Sequence, residues 1–355
     1  MVDAESHGRV PSGGEAGGGR RRRAGQGARG RWAHVYAALD LGTNNCRLLV
    51  ARPTAGGFRV IDAFSRIVRL GEGLGASGVI SEAAMGRTVE ALGVCAAKMR
   101  RRGVTRARNV ATETCRKAQN CDAFLERVRA ETDLELEIIS AGEEARLAVS
   151  GCMPLVVEEA RHALVFDIGG GSTELIWLHR GRDGNRVDTI SLPIGVVTLA
   201  ERYGGDAVSR EFYADMVAEV AVGLVPFDRR HGIAERVAGG GVQMLGTSGT
   251  VTTLAGVHLD LPRYDRSRVD GSWLSFDDAL AISDRLRAMS CAERAANPCI
   301  GVERADLVVA GCAILEAICR TWPVGRLRVA DRGIREGVLQ ALLRAADRET
   351  GAAPV

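Results

Sequence analysis

From Trp32 onward the chain alternates between short apolar runs and longer stretches with apolar residues three and four apart, the pattern of strands interleaved with amphipathic helices. VYAALDL (35–41) and CRLLVAR (46–52) predict two strands about a short polar turn. Ser81 caps a predicted helix reaching Arg101, with Met85, Val89, Leu92, Ala96 and Met99 on one face. ARNVAT (107–112) and LELEIIS (134–140) predict strands. Between them a helix opened by Asn120 or Asp122 runs through Arg129, and after Gly142 another starts at Glu143. ALVFDIG (163–169) and TELIWLH (173–179) predict a second strand–turn–strand unit. Helices are predicted over 208–223, 276–289, 303–320 and 333–346, and strands near 242–246 and 326–330. The stretch 305–322 is apolar nearly all round, which predicts a helix buried in a core.

The two strand–turn–strand units repeat at an offset of 127 residues. Asp40 falls on Asp167, Leu41 on Ile168 and Gly42 on Gly169; Leu48, Leu49 and Val50 fall on Leu175, Ile176 and Trp177. Each unit is an apolar strand ending in Asp, apolar, Gly, then a short polar turn and a second apolar strand. The repeat predicts two similar α/β halves that present hairpin loops toward a shared cleft.

Composition narrows the class. The 355 residues are 46% hydrophobic and 26% charged, as in globular proteins, and leave room for two domains. No run of 18 apolar residues occurs, so no membrane-spanning helix is predicted. Aromatics make up 4%, too few for a base-stacking surface. The cysteines, nine in all, form no CxxC pair and no zinc-spaced cluster, which predicts reduced thiols and a cytoplasmic location. The net charge of +3 comes from residues 1–31, which carry seven Arg against Asp3, Glu5 and Glu15, so the remainder is slightly acidic. Nucleic-acid binding by the folded body is therefore not expected. The first 31 residues, rich in Gly and with the run Arg20–Arg23, predict a disordered extension. An arm attracted to polyanions is the other reading of that run.

The turns carry the candidate chemistry. Gly42 and the run Gly169, Gly170, Gly171 allow tight bends that turn successive N–H groups outward, making a nest for phosphate oxygens. Thr43, Asn44, Asn45, Ser172 and Thr173 add side-chain donors. Asp167 and Glu174, on the two arms of one hairpin, are candidates to share a divalent cation, with Asp40 as a further candidate. An ordinary tight hairpin is the alternative for either loop alone. A third Gly-rich element, GTSGTVTTL (246–254), opens a helix and offers Ser248, Gly249 and Thr250 at its N-terminus. No Walker A lysine motif, GxGxxG opening a βαβ unit, GxSxG or HExxH is present.

With these loops in view, the chain resembles the superfamily of actin, Hsp70 and sugar kinases. More narrowly it resembles the exopolyphosphatase/guanosine pentaphosphatase (Ppx/GppA) family. The resemblance rests on ALDLGTNNCRLLVA, RLGEGLG (69–75), ATETCRKAQN (111–120), EIISAGEEARLAVSG (137–151), VFDIGGGSTELI, GTSGTVTTLAG, RADLVVAG (304–311) and VADRGIREGVL (329–339), in family order. It implies two ribonuclease H-like lobes with an active-site cleft between them. Lobe I would span 33–157, with a last helix near 333–347 packed back onto it, and lobe II 158–330. By resemblance the short, two-domain form of the family is expected.

The implied reaction is hydrolysis of a terminal phosphoanhydride, of polyphosphate or of guanosine pentaphosphate (pppGpp), with Mg²⁺ and with Mn²⁺ as the alternative. By resemblance Glu144 is the catalytic base and Arg116 and Arg304 contact phosphate. Two glutamates in a first helical turn, Glu143 and Glu144, would also simply offset the helix dipole. ATETCRKAQN departs from the family's usual form at Glu113, Cys115 and Lys117, a difference that bears on substrate preference. The leading expectation is a Mg²⁺-dependent exopolyphosphatase. A pppGpp phosphohydrolase is the close alternative, and a kinase or a nucleotide sensor of the same superfold is the remoter one. Oligomeric state is not legible, a homodimer being one option.

Overall fold

The computed structural model describes residues 31–181 and 184–350; the predicted tail, residues 1–31, lies outside them except for its last residue. One sheet has the order β3-β2-β1-β4-β5. Its strands are β1 (Tyr36–Leu41), β2 (Asn45–Thr54), β3 (Gly57–Ile67), β4 (Arg106–Ala111) and β5 (Glu137–Ile138). The other has the order β10-β11-β9-β6-β7-β8. It is built from β6 (His162–Ile168), β7 (Thr173–Gly181), β8 (Gly184–Leu192), β9 (Val242–Thr247), β10 (Trp273–Ser275) and β11 (Arg326–Ala330). In each, the founding strand pairs antiparallel with the next strand and parallel with a later one: β1 with β2 and β4, β6 with β7 and β9. The sequence repeat is thus a repeat of sheet topology.

Helices α1 (Leu74–Ser77), α2 (Glu82–Arg101), α3 (Glu113–Lys117), α4 (Cys121–Thr132) and α5 (Ala141–Cys152) follow the strands of the first half. Those of the second half are α6 (Val196–Tyr203), α7 (Arg210–His231), α8 (Ile233–Ala238), α9 (Ser248–His258), α10 (Arg266–Val269), α11 (Phe276–Ala288), α12 (Cys291–Ala296) and α13 (Val308–Thr321). The last helix, α14 (Ile334–Thr350), packs on α5 and β1.

Strand alternation sorts the side chains into three apolar layers. Ala37, Leu39 and Leu41 of β1 face α2 and α4. Leu164, Phe166 and Ile168 of β6 face the layer holding α7, α9, α11 and α13. The opposite faces of both sheets, with Tyr36, Ala38, Ala163 and Val165, meet α5 and α14 in a middle layer. By the same alternation Asp40 and Asp167 point toward that middle layer, where the two halves join. The two central helices nearly touch backbone to backbone. A Cβ at Gly337 would lie 2.1 Å from the Leu147 carbonyl oxygen, and one at Gly151 2.1 Å from that of Gly333.

Some elements differ from expectation for visible reasons. The predicted strand 134–140 shrinks to the two residues of β5, which has only β4 to pair with. The helix begun near 208 continues past 223 to His231 despite Pro226, because Leu224 and Phe227 still face the core. The helix predicted from 303 starts at Val308, residues 302–307 forming turns that follow Gly301, whose φ is +74°. The third strand of each meander, β3 and β8, is largely half exposed or exposed, with apolar and polar residues mixed on both faces, so it shows little periodic signal. Helix α13 is buried continuously from Val308 to Cys319. No helix among the described residues is long and apolar enough to cross a membrane, and all nine cysteines are free thiols.

Candidate active site

The two hairpin loops close in the same way. Gly42 N–H donates to the Asn45 carbonyl and Gly169 N–H to the Ser172 carbonyl, both at 2.9 Å. The β1–β2 register opposes Asp40 to Arg47, and the β6–β7 register opposes Asp167 to Glu174. Equivalent positions therefore carry a cation in one half and an anion in the other. The loops meet across the cleft: a Cβ at Gly170 would stand 3.0 Å from Thr43 Cβ, and one at Gly171 2.9 Å from Thr43 Oγ1. Only glycine there lets Thr43 approach so closely. The 69–75 motif braces the first loop, with Gly71 N–H donating to the Thr43 carbonyl and Arg69 N–H to that of Asn44.

The third loop completes the pocket. Ser248, Gly249 and Thr250 line a small cavity with Asn44, Gly169 and Gly170. Asn44 Oδ1, Asn45 Oδ1 and Ser248 Oγ are buried there without a hydrogen-bond partner, which is costly unless a ligand supplies one. Ser248 also sits at φ +85°, a strained conformation for a serine of the kind that clusters at functional sites. Two sequence candidates have their hydroxyls engaged elsewhere. Ser172 Oγ donates to Glu174 Oε1 (2.7 Å) and Thr173 Oγ1 to the Ile194 carbonyl (2.7 Å). Thr173 is wholly buried, because odd positions of β7 face the α7 side.

Beyond this small pocket lies a cleft of about 490 Å³ lined by Asp40, Asp167, Arg47, Arg304 and Arg335. None of these three arginines has a carboxylate within 4.0 Å among the described residues. Burial, with the positive charge of Arg47, holds Arg304 and Arg335 below the ordinary arginine range. Arg304 makes one long contact, 3.4 Å to Thr253 Oγ1. Arg47 and Arg335 were not singled out from sequence. The signal for Arg47 was its place in the repeat, opposite the strand-end aspartate.

Glu144 lies in the first turn of α5, capped by Ser140. Its Oε2 accepts from Arg116 Nη1 at 2.8 Å. The guanidinium of Arg116 also serves Glu113 (2.7 and 3.1 Å) and the Ile139 carbonyl (2.9 Å). One Nη2 hydrogen is left for a ligand. Burial and the nearby charge of Glu174 raise the Glu144 carboxyl well above the usual range, and Arg116 opposes them. Glu174 is itself raised by burial, opposed by hydrogen bonds from Ser172 and Ser191. Burial, then the charge of Glu174, pushes Asp167 up to about 7; burial also raises Asp40, against Arg47 and Arg335.

These carboxylates suit a divalent cation. Burial raises the pKa of each, a shift that a bound cation would oppose. Among the described residues no three His, Cys, Asp or Glu side chains converge to hold a metal alone. Mg²⁺ does not require that, since it binds through one or two carboxylates with water and phosphate oxygens.

A model of the Ppx/GppA phosphatase family matches residues 49–346. Among solved structures, the Ppx/GppA family member of Aquifex aeolicus is 28% identical, covers 89% of this chain and 98% of its own, and has a TM-score of 0.71. An exopolyphosphatase from Cytophaga hutchinsonii is 26% identical, covers 88% and 98%, and has a TM-score of 0.79. An exopolyphosphatase-like protein is 28% identical, with coverages of 88% and 98% and a TM-score of 0.80. The two-lobed actin-like fold is shared with them.

Proposed function

The chain belongs to the Ppx/GppA phosphatase family, and on that premise we propose that it is an exopolyphosphatase. It would hydrolyse the terminal phosphoanhydride of inorganic polyphosphate and release orthophosphate. The observation that carries this reading is the cleft that joins arginines lacking an ion-paired carboxylate to a small pocket of three Gly-rich loops. Arginines that lack a carboxylate within ion-pair distance are stabilised by a polyanion. The pocket, about 60 Å³, accommodates one phosphate group.

Phosphoryl transfer demands positioning and charge neutralisation more than covalent chemistry. The terminal phosphate would sit among Asn44, Asn45, Gly170, Ser248, Gly249 and Thr250, with Arg304 and Arg47 on the following units. Mg²⁺, or Mn²⁺, would be held by Asp167 and Glu174 with Asp40 beside them, and when bound would neutralise charge on the phosphate oxygens. Glu144 takes the proton of the attacking water; a carboxylate whose basicity is raised by burial suits that task. Arg116 holds Glu144 before substrate arrives and offers its remaining N–H to the incoming phosphate. A pppGpp phosphohydrolase is the second reading, favoured by the apolar wall of the cleft at Phe64, Tyr264 and Ile300, which could receive a base. A cytoplasmic setting is proposed on the same footing.

The test is Mg²⁺-dependent orthophosphate release from long-chain polyphosphate and from pppGpp at matched terminal phosphate, with wild type and Glu144→Gln. Faster release from polyphosphate, lost in Glu144→Gln with polyphosphate binding kept, is expected. Preference for pppGpp would replace the substrate. Undiminished turnover by Glu144→Gln would remove the base.

A further inference from the structure

Beside the small phosphate pocket, away from Arg47 and Arg335, a clasp ties the two halves together. Arg69, from the loop that braces the first phosphate hairpin, reaches across to the second half. Its Nη1 and Nη2 bond the two carboxylate oxygens of Asp306 at 2.9 and 3.0 Å, and Nη2 also reaches the Glu303 carbonyl at 3.2 Å. Glu201, at the end of α6, accepts from Gly73 N–H at 2.9 Å in the same seam. Arg69 adopts this reach from a left-handed backbone, φ +49°, fixed by its N–H bond to the Asn44 carbonyl. Asp306 stands two residues after Arg304. The clasp thus ties the brace of one phosphate loop to the segment that carries a phosphate-facing arginine.

On the far side of the clasp is a second cavity of about 530 Å³, which shares Leu307 with the small phosphate pocket. Its charged lining is acidic, with Glu72, Glu201, Asp206 and Asp306 against the single Arg69, which Asp306 already neutralises. The charged lining changes across the seam, from five arginines against three aspartates in the cleft to carboxylates with the single Arg69 beyond it. A polyanion is drawn in from one side and meets both a barrier and like charge on the other.

We propose that the Arg69–Asp306 clasp and the acidic cavity behind it make the phosphate cleft one-ended and so confine cleavage to chain ends. The inference rests on the reading of the protein as a polyphosphatase. In a one-ended cleft only a terminal phosphate can reach the three-loop pocket. An internal unit would have to thread its outer segment through the seam. If the seam opens, water can add to an internal phosphorus, the bridging P–O bond breaks, and one chain becomes two shorter chains without release of orthophosphate.

The test uses the full chain and two substrates: long linear polyphosphate with free ends, and the same polyphosphate with both ends blocked as alkyl phosphoramidates. Gel electrophoresis reads fragment lengths, and a phosphate assay reads orthophosphate. Wild type should shorten the free-ended chain from its ends and leave the blocked chain intact. Arg69→Met and Asp306→Asn should produce fragments of intermediate length and cut the blocked chain well above the enzyme-free rate. The exchange Arg69→Asp with Asp306→Arg should restore end-only cleavage; aspartate tolerates the left-handed backbone at 69. Internal cutting of the blocked chain by wild type would overturn the proposal, and that arm holds even if the single variants fail to fold. So would folded single variants that still act only at ends. Release of no orthophosphate from free-ended chains by wild type would instead bring down the functional reading beneath it.

Discussion

Gly337→Ala probes how Glu144, the proposed base, is held. The added Cβ would lie 2.1 Å from the Leu147 carbonyl oxygen and 2.8 Å from its carbon, more than 1 Å inside ordinary contact. The obstacle is backbone, so no side chain can swing aside; α5 and α14 must part by roughly 1 Å. Overpacking of this kind costs about 1–3 kcal/mol, against about 1 kcal/mol that alanine gains over glycine in a helix. A net loss of up to about 2 kcal/mol is expected, read as a lower urea midpoint at unchanged slope. Gly151→Ala meets the Gly333 carbonyl at the same distance, 2.1 Å, in the same interface. Once either variant has parted the helices the second costs less, so the double variant should lose less than the sum. Because α5 carries Glu144, a shift near 1 Å should also lower kcat by as much as about a hundredfold. Gly337→Ala at or above wild-type stability with full kcat would refute the close packing of α5 on α14.

Three further outcomes follow from the structure. Ser248→Gly relieves the positive φ and should raise stability by about 1 kcal/mol, while loss of its hydroxyl raises KM for polyphosphate; urea melts and steady-state kinetics read both. His162 stacks on Trp177 at 4.9 Å and faces His179 and Arg236, and burial first, then Arg236 and His179, lowers it from 6.5. Unfolding lets it take up a proton, so its contribution to stability is full above pH 6.5 and is lost as pH falls below that; His162→Phe should flatten the acid limb of a stability–pH curve. Asp167→Asn should shrink the Mg²⁺-induced rise in Tm, and an undiminished rise would exclude Asp167 as a ligand.

The fold was legible where residues are buried on a regular period. The DLG and DIGGG hairpins appeared as a repeat because buried strands flank both. The amphipathic face of α2 and the all-round apolar α13 were equally plain. Strands β3 and β8 were not, since solvent accepts almost any side chain on a half-exposed edge. At the site, the loop glycines and the strand-end acids stood out because turns and charges restrict residue choice. The free arginines Arg47 and Arg335 did not, among so many others. What marks them is the lack of a carboxylate partner, a property of space and not of spacing. For the same reason sequence could suggest Arg116 as a phosphate clamp but not its engagement with Glu144 and Glu113.

The central claim is that Glu144-assisted water adds to the terminal phosphorus seated in the three-loop pocket. Hydrolysis of long-chain polyphosphate in ¹⁸O-labelled water, followed by mass spectrometry of the products, tests it most directly. The account predicts that the label enters the released orthophosphate and that Glu144→Gln releases none. Label retained on the shortened chain would place the attack on the neighbouring phosphorus and contradict it.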